Sequence, residues 1–474
     1  MGVTGVELIA TAAMAIATGV VVRRHPPIAV AIVLLGLLLA SASVGEVKEV
    51  FLAARWGALV VLPLTLFWPP PRRLDELSFE LGAVAVTAVL ALSAVWSIDP
   101  KLTLMRAASF GLLLLGVARL VRSKTWDPSG VVDVIAALSV TAGLASVVLW
   151  SVRPDIAVYV GELRGVLENQ NGLGLFLGLT YPFVLAALDR RIGKRVWVVA
   201  PTVLCAFLIG LTESRTGVLA LVTGLVVYEV ATRSARRLVL QVLVGLSLFL
   251  AVNLSISSLD GGQLAAPPHR AGPGAEPAPS GPPRPPERPD ILGRGATPGQ
   301  GRLAALLGAR NEAWSATGAL ILDRPLLGYG FGTGDRVFAR YPDRAEFRYF
   351  QGANPNNGFL QAGLELGVFL GFVILVPPLF AALTGAVRTR KQRFTAERAA
   401  FFACLVGGLV AAVFESLLTA GPAPDTPLAI GIDSRSRPGA STSTMNRSGR
   451  PSSPPSSSWR ATTRMWVACS TPEM

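Results

Sequence analysis

The chain has 474 residues, 51% of them hydrophobic and only 15% charged, against about 25% charged in an ordinary soluble domain, and that gap excludes most soluble enzymes. Lys and Arg total 43 against 30 Asp and Glu, a formal net charge of +13, yet the basic residues sit in short clusters between apolar runs. That is the pattern of cytoplasmic membrane loops rather than of one phosphate-binding face, so nucleic acid is set aside as a partner.

A helix crosses the hydrocarbon core in about 20 residues. In chain order, apolar runs of that scale fall near 5–22, 28–44, 50–68, 80–96, 104–121, 130–151, 172–188, 196–212, 216–232, 238–255, 358–386 and 398–419. They predict an all-α polytopic membrane protein of about 12 spans with one large extracytoplasmic loop. Alternate connections carry Arg23 and Arg24, Arg72 and Arg73, Arg122 and Lys124, Arg190 to Arg195, Arg233 to Arg237, and Arg388 to Arg393, and the positive-inside rule makes these cytoplasmic. The intervening connections then face outward, among them the turns at Trp96 to Lys101 and Glu213 to Arg215.

Residues 1–255 are thus expected to form a membrane domain of ten spans, 256–357 the large outer loop, and 358–420 the last two spans. Within the loop, 256–300 is dominated by Pro and Gly and is expected to be a flexible linker. Over 301–357 apolar residues return at helical spacing from Arg302 to Leu322, followed by turn-rich sequence from Asp323 to Gly332, which predicts a packed helical part carrying the function. From 421 to 474 Ser, Pro, Thr and Arg replace the apolar pattern, so this tail is expected to be disordered, and a frame error in the gene is one origin for so abrupt a change.

Three cysteines and two histidines, His25 and His269, are too few and too scattered for a disulfide framework, a zinc site or a Ser/His/Asp triad. The informative residues are therefore polar groups at outward span ends, where burial is costly unless a ligand or partner offsets it. Four clusters qualify: Arg164 to Gly172, Glu213 to Gly217, Arg310 to Trp314 with Asp323 to Gly332, and Asn354 to Leu360 with Glu365 two turns further on. Guanidinium groups fork onto phosphate oxygens, so Arg164, Arg215 and Arg310 together would make a site for a lipid diphosphate. Asn171, Asn356 and Asn357 would add hydrogen bonds, and glycines near Gly172 and Tyr329 would admit a close backbone approach.

Plainer readings stand beside these. Arg215 would equally pair with Glu213 or snorkel at a span end, and Arg310 and Trp314, four residues apart, would make a cation–π contact. Asn356 and Asn357 would serve as helix caps, and Glu415 is either functional or paired with an arginine.

The motifs in order are Trp96-Ser97-Ile98-Asp99-Pro100, Arg164 to Gly174, Ser214-Arg215-Thr216-Gly217, Arg310 to Trp314, Asp323 to Gly330, and Asn356-Asn357-Gly358-Phe359-Leu360 leading to Glu365-Leu366-Gly367. This set, over roughly residues 80 to 420, resembles the O-antigen ligase and polymerase family of bacterial surface-glycan assembly. The resemblance implies a multi-pass, GT-C-like glycosyltransferase of the cell membrane, needing no metal or cofactor. It would move a glycan from an undecaprenyl-diphosphate carrier to a hydroxyl of a glycan or lipid acceptor on the outer face. It further implies that Arg215 and Arg310 hold the diphosphate leaving group, with Arg164 assisting.

Where the ligases resemble one another most, a histidine proposed as general base precedes the Asn-Gly pair, and here that position is Asn356. An amide cannot take up a proton at neutral pH, so either a carboxylate such as Glu365 or Glu168 substitutes or the leaving group suffices. The expected catalytic residues are Arg310, Arg215, Asn356 and Glu365, with Arg164, Asn171, Trp314, Arg324, Tyr329 and Asn357 binding substrate. A transporter or flippase for a lipid-linked or small solute is the reading from a different class. Such proteins carry mid-membrane sites on broken helices and internal repeats, whereas here the charges gather at the outer boundary.

Overall fold

The computed structural model describes residues 3–22, 25–66, 78–122, 127–159, 162–191, 199–233, 313–341 and 355–415, with 238, 239 and 243 besides. Apart from those three residues, the predicted span at 238–255 lies outside the described residues, as do the linker, Arg310 and the tail after 421. Every other predicted run falls on a helix: α1 (Val3–Val22), α2 (Pro26–Leu39), α3 (Gly45–Leu66), α4 (Ser78–Leu92), α5 (Pro100–Arg122) and α6 (Pro128–Val152). After the single turn α7 (Pro154–Ala157) and a two-residue hairpin, β1 (Val158–Tyr159) and β2 (Glu162–Leu163), come α8 (Gln170–Arg191), α9 (Val199–Leu211) and α10 (Arg215–Thr232). Then follow α11 over 313–323, α12 (Gly334–Arg340), α13 (Gly358–Lys391) and α14 (Ala396–Ala411).

Five of these helices, within α5, α6, α8, α10 and α13, are long and apolar enough to cross a membrane, and stretches of α1, α2, α4 and α9 are apolar but shorter. The chain is an all-α membrane protein. Two predicted spans fall in neither group: α3, which carries Glu46, Lys48, Glu49 and Arg55, and the 16-residue α14, with Glu397 and Arg398 in its first turn. α13 is long enough but is broken at Gly367, whose φ of 78° and ψ of 166° are non-helical.

The main core lies between α6, α8, α9, α10 and α14, with Leu173, Leu177, Tyr181, Ile209 and Tyr228 almost fully enclosed. α8 is its centre because it is apolar on all sides and can therefore be surrounded. Small residues set the closest crossing. A Cβ on Gly217 would lie 2.5 Å from the backbone of Gly174, and one on Gly178 would lie 2.5 Å from the Gly217 carbonyl. The first turns of α8 and α10 are thereby held together.

At one end of the bundle sit the connections that the sequence marks as cytoplasmic. Arg190 pairs with Asp133 and, at 3.4 Å, with Glu397; Arg191 pairs with Asp133; and the Tyr228 hydroxyl donates to Asp189. At the other end, the backbone N–H of Ser43 donates to Val166, that of Ile98 to Tyr329, and that of Gly358 to Ala412. The charge alternation in the sequence thus sorted the connections into two groups that meet in space.

Candidate functional site

The segment 324–334 is built into the break of α13. With no regular helix at Gly367, carbonyls ahead of it lose their intrahelical donors, and buried backbone groups must find others. The N–H groups of Tyr329 and Gly330 donate to the carbonyls of Leu364 (3.0 Å) and Glu365 (2.8 Å), and the N–H of Val368 donates to Pro325 (2.8 Å). Gly328 has a φ of 63°, and a side chain there would meet the backbone of Gly367 at 2.5 Å. The turn between α4 and α5 holds the loop from the other side. Ser93 Oγ accepts from the Phe331 N–H at 3.0 Å, and the Trp96 indole N–H donates to the Leu327 carbonyl at 2.7 Å.

Glu365 sits inside this insertion and is 0% exposed. Its carboxylate accepts from the N–H groups of Gly332 (2.8 Å) and Gly334 (3.2 Å) and from the Gln361 amide (2.8 Å). Arg106 of α5, also buried, donates to the Gly332 carbonyl and lies 3.5 Å from Asp335. A buried carboxylate is tolerable when donors converge on it like this, and a group so enclosed is out of reach of an acceptor hydroxyl. Glu365, expected as a base, is in this structure a buried carboxylate held by three donors. Tyr329 is likewise enclosed, at 2% exposure, with its hydroxyl donating to Leu320 and the exposed Arg324 guanidinium 4.9 Å from its ring centroid. Burial pushes that hydroxyl above the usual phenol range.

A second constellation forms where other span ends meet. Ser214 caps α10 by accepting from the Gly217 N–H at 3.1 Å, which leaves Arg215 exposed in the first turn with no ion-pair partner among the described residues. The next residue, Thr216, donates its hydroxyl to Glu415 at 3.3 Å. Glu415 follows the end of α14, and Ala412 there accepts from the Gly358 N–H at 2.7 Å. Asn357 caps α13, its side-chain oxygen accepting from Phe359 and Leu360 at 3.0 Å each, while the half-buried Asn356 takes a left-handed φ of 46°. The Trp314 indole donates to the Pro355 carbonyl at 3.0 Å, so α11 begins beside these asparagines. Arg310, three residues before the first described residue of α11, lies outside the described residues.

Arg164 and Asn171 flank this region through α8. The Arg164 guanidinium donates to the Ile156 carbonyl at 2.7 Å and lies 5.5 Å from the Tyr159 ring centroid. The half-buried Asn171 is on the first turn of α8, its N–H donating to the Asn169 side chain at 2.8 Å. Glu168, the other carboxylate considered as a base, gives both oxygens to Lys48, at 2.8 and 2.6 Å.

Among the described residues, the structure links the segment of Trp314, Asn356 and Asn357 to that of Arg215 only through the end of α14, which bonds to Gly358 on one side and Thr216 on the other, and it places Arg324, Tyr329 and Glu365 around the helix break instead. Arg106, Gln361 and Asp335 went unnoticed in the sequence. A charge inside an apolar run was the available signal for Arg106, whereas nothing local marks the other two. Among the described residues, no group of three or more His, Cys, Asp or Glu side chains is placed to hold a metal ion.

No curated protein and no solved structure matches the chain. Residues 200–376, which include Arg215, the helix-break insertion and the start of α13, match the family model described as O-antigen ligase. This match over part of the chain bears out the resemblance read from the order of the motifs.

Proposed function

We propose that the chain is a glycosyltransferase that moves a glycan from an undecaprenyl-diphosphate carrier to an acceptor hydroxyl on the outer face of the cytoplasmic membrane, without a metal. The family match supports a ligase- or polymerase-type function in glycan assembly at a membrane. The observation that carries the finer reading is the meeting of Arg215, the asparagine pair and Glu415 at one end of the bundle. A permanently charged guanidinium exposed there suits an oxyanion that develops as the diphosphate departs. Asn356 would orient the acceptor by hydrogen bonds, and Arg310 and Arg164 would extend the anion site. Tyr329 and Glu365 would act at one remove, by holding the inserted loop.

The break in α13 is a feature that transporters use to build mid-membrane solute sites. Here the freed backbone groups of Leu364, Glu365 and Val368 bond to residues 325–330 of the same chain, which favours a braced helix over a solute site. Purified protein given a polyprenyl-diphosphate-linked glycan and acceptor, with a chelator present, is expected to yield transferred glycan and free polyprenyl diphosphate. Movement of intact carrier-linked glycan across vesicle membranes without transfer would favour the transporter reading.

A further inference from the structure

α13 leaves a run of apolar side chains exposed, from Val368 through Phe369, Phe372, Phe380 and Leu383 to Val387. At 1.5 Å per residue that stretch is about 30 Å long, the thickness of the hydrocarbon core of a bilayer. The exposed Arg388, Arg390 and Lys391 follow it at one end, and the broken Gly367 precedes it at the other. Gly367 therefore lies at the depth of the lipid headgroups, on the side away from that basic cluster. The 325–328 loop lies at the same depth, because the Val368 N–H donates to the Pro325 carbonyl and a Cβ on Gly367 would lie 2.4 Å from the Leu326 backbone.

A cleft of about 340 Å³ opens in this loop, lined by Trp96, Arg324, Pro325, Leu326, Leu327 and Gly328. Its wall is apolar, and the apolar character continues around it, with Leu322 79% and Leu326 72% exposed. Such a patch is costly in water and ordinary against lipid. Arg324 is the exception within it. Its guanidinium lies over the Tyr329 ring, 4.9 Å from the centroid, and makes no hydrogen bond or ion pair among the described residues. A contact through the ring face leaves the N–H donors at the edge of the guanidinium unspent.

We propose that this cleft holds an anionic phospholipid of the leaflet opposite the basic connections, with an acyl chain along Trp96, Leu326 and Leu327 and the phosphate on Arg324. A guanidinium forks onto phosphate oxygens, so a cation at headgroup depth beside an apolar slot matches a molecule with one anionic phosphate and a hydrocarbon chain. The volume suits part of one chain rather than a whole lipid. Asn357 precedes Gly367 by about 15 Å along α13, so the cleft is separate from the Arg215 and asparagine cluster and does not depend on the glycan-transfer reading. A lipid seated there pins the loop whose Tyr329 and Gly330 N–H groups cover the carbonyls of Leu364 and Glu365.

The test uses the full chain in phosphatidylcholine vesicles carrying increasing amounts of brominated phosphatidylglycerol, with brominated phosphatidylcholine as the neutral comparison. Bromine quenches indole fluorescence on contact, and the share of Trp96 is the difference between the wild-type chain and Trp96→Phe. Quenching of Trp96 is expected to reach half its limit at about fivefold less phosphatidylglycerol than phosphatidylcholine, the preference that one basic residue gives at an anionic surface. Arg324→Gln is expected to remove that preference. Native mass spectrometry of the same proteins is expected to find one retained phosphatidylglycerol fewer in Arg324→Gln than in the wild-type chain, a reading independent of Trp96→Phe. Equal quenching of the wild-type chain by the two lipids, an unchanged preference in Arg324→Gln, or equal lipid retention by both proteins would overturn the proposal. Displacement of the brominated phosphatidylglycerol by a small admixture of polyprenyl phosphate would overturn it too, and would assign the cleft to the carrier.

Discussion

Gly328→Ala is expected to cost about 3 kcal/mol of stability, the sum of a left-handed backbone penalty and an overlap that cannot relax. The added methyl would lie 2.5 Å from the Gly367 nitrogen and 2.6 Å from Glu365 carbon and Leu364 oxygen, all backbone atoms rather than movable side-chain ends. Relief requires the 325–330 loop to leave the break in α13, and that strands the carbonyls of Leu364 and Glu365. The Glu365 carboxylate would lose its backbone donors in the same movement, so the damage spreads to Gln361 and Arg106. Thermal unfolding in detergent and the yield of folded protein check this. Gly318→Ala on α11 is the control, since nothing lies within 4 Å of its added carbon, and it is expected to be neutral or slightly stabilising. Equal behaviour of the two variants would mean that the loop does not occupy the break.

The second large effect concerns chemistry alone. Arg215→Ala is expected to lower transfer by about 10²- to 10³-fold, the usual consequence of removing one donor aimed at developing negative charge. Stability should hold, because Arg215 is exposed and the cap of α10 belongs to its neighbour Ser214. Lysine at 215 is expected to restore little, since a point charge does not reproduce the forked contact with a diphosphate. The measurement is the initial rate of transfer at saturating acceptor, alongside donor affinity, with melting temperature as the check on folding. Unchanged turnover in Arg215→Ala would remove this arginine from the site.

Much of the fold was legible because long apolar runs can hardly be anything but helices in a membrane, and because alternating Arg and Lys clusters sort the connections by side. The grouping of Arg190, Asp133 and Glu397 at one end, opposite Thr216 and Glu415, follows that sorting. The break in α13 was not legible. Leu364 to Phe372 is apolar apart from Glu365, glycine is common in membrane helices, and only the 325–330 loop makes a non-helical Gly367 favourable. For the same reason Glu365 read as chemistry: a carboxylate in a short motif carries no mark of the donors that tertiary structure brings to it. Asn357 was read correctly as a possible cap, because its side chain precedes an apolar helix. Glu415 was noticed but left undecided, since its link to Thr216 spans 199 residues and no local pattern reports such a contact.

Transfer of glycan from a lipid diphosphate carrier is open to a direct test in cells. The most direct test is the size profile and lipid linkage of surface glycan in a strain lacking the gene, complemented with the wild-type chain or with Arg215→Ala. The strain without the gene and the Arg215→Ala strain are both expected to accumulate carrier-linked glycan, as single repeat units for a polymerase or as full-length polymer for a ligase, and only the wild-type chain is expected to clear it. A glycan profile that is the same in all three strains would contradict it.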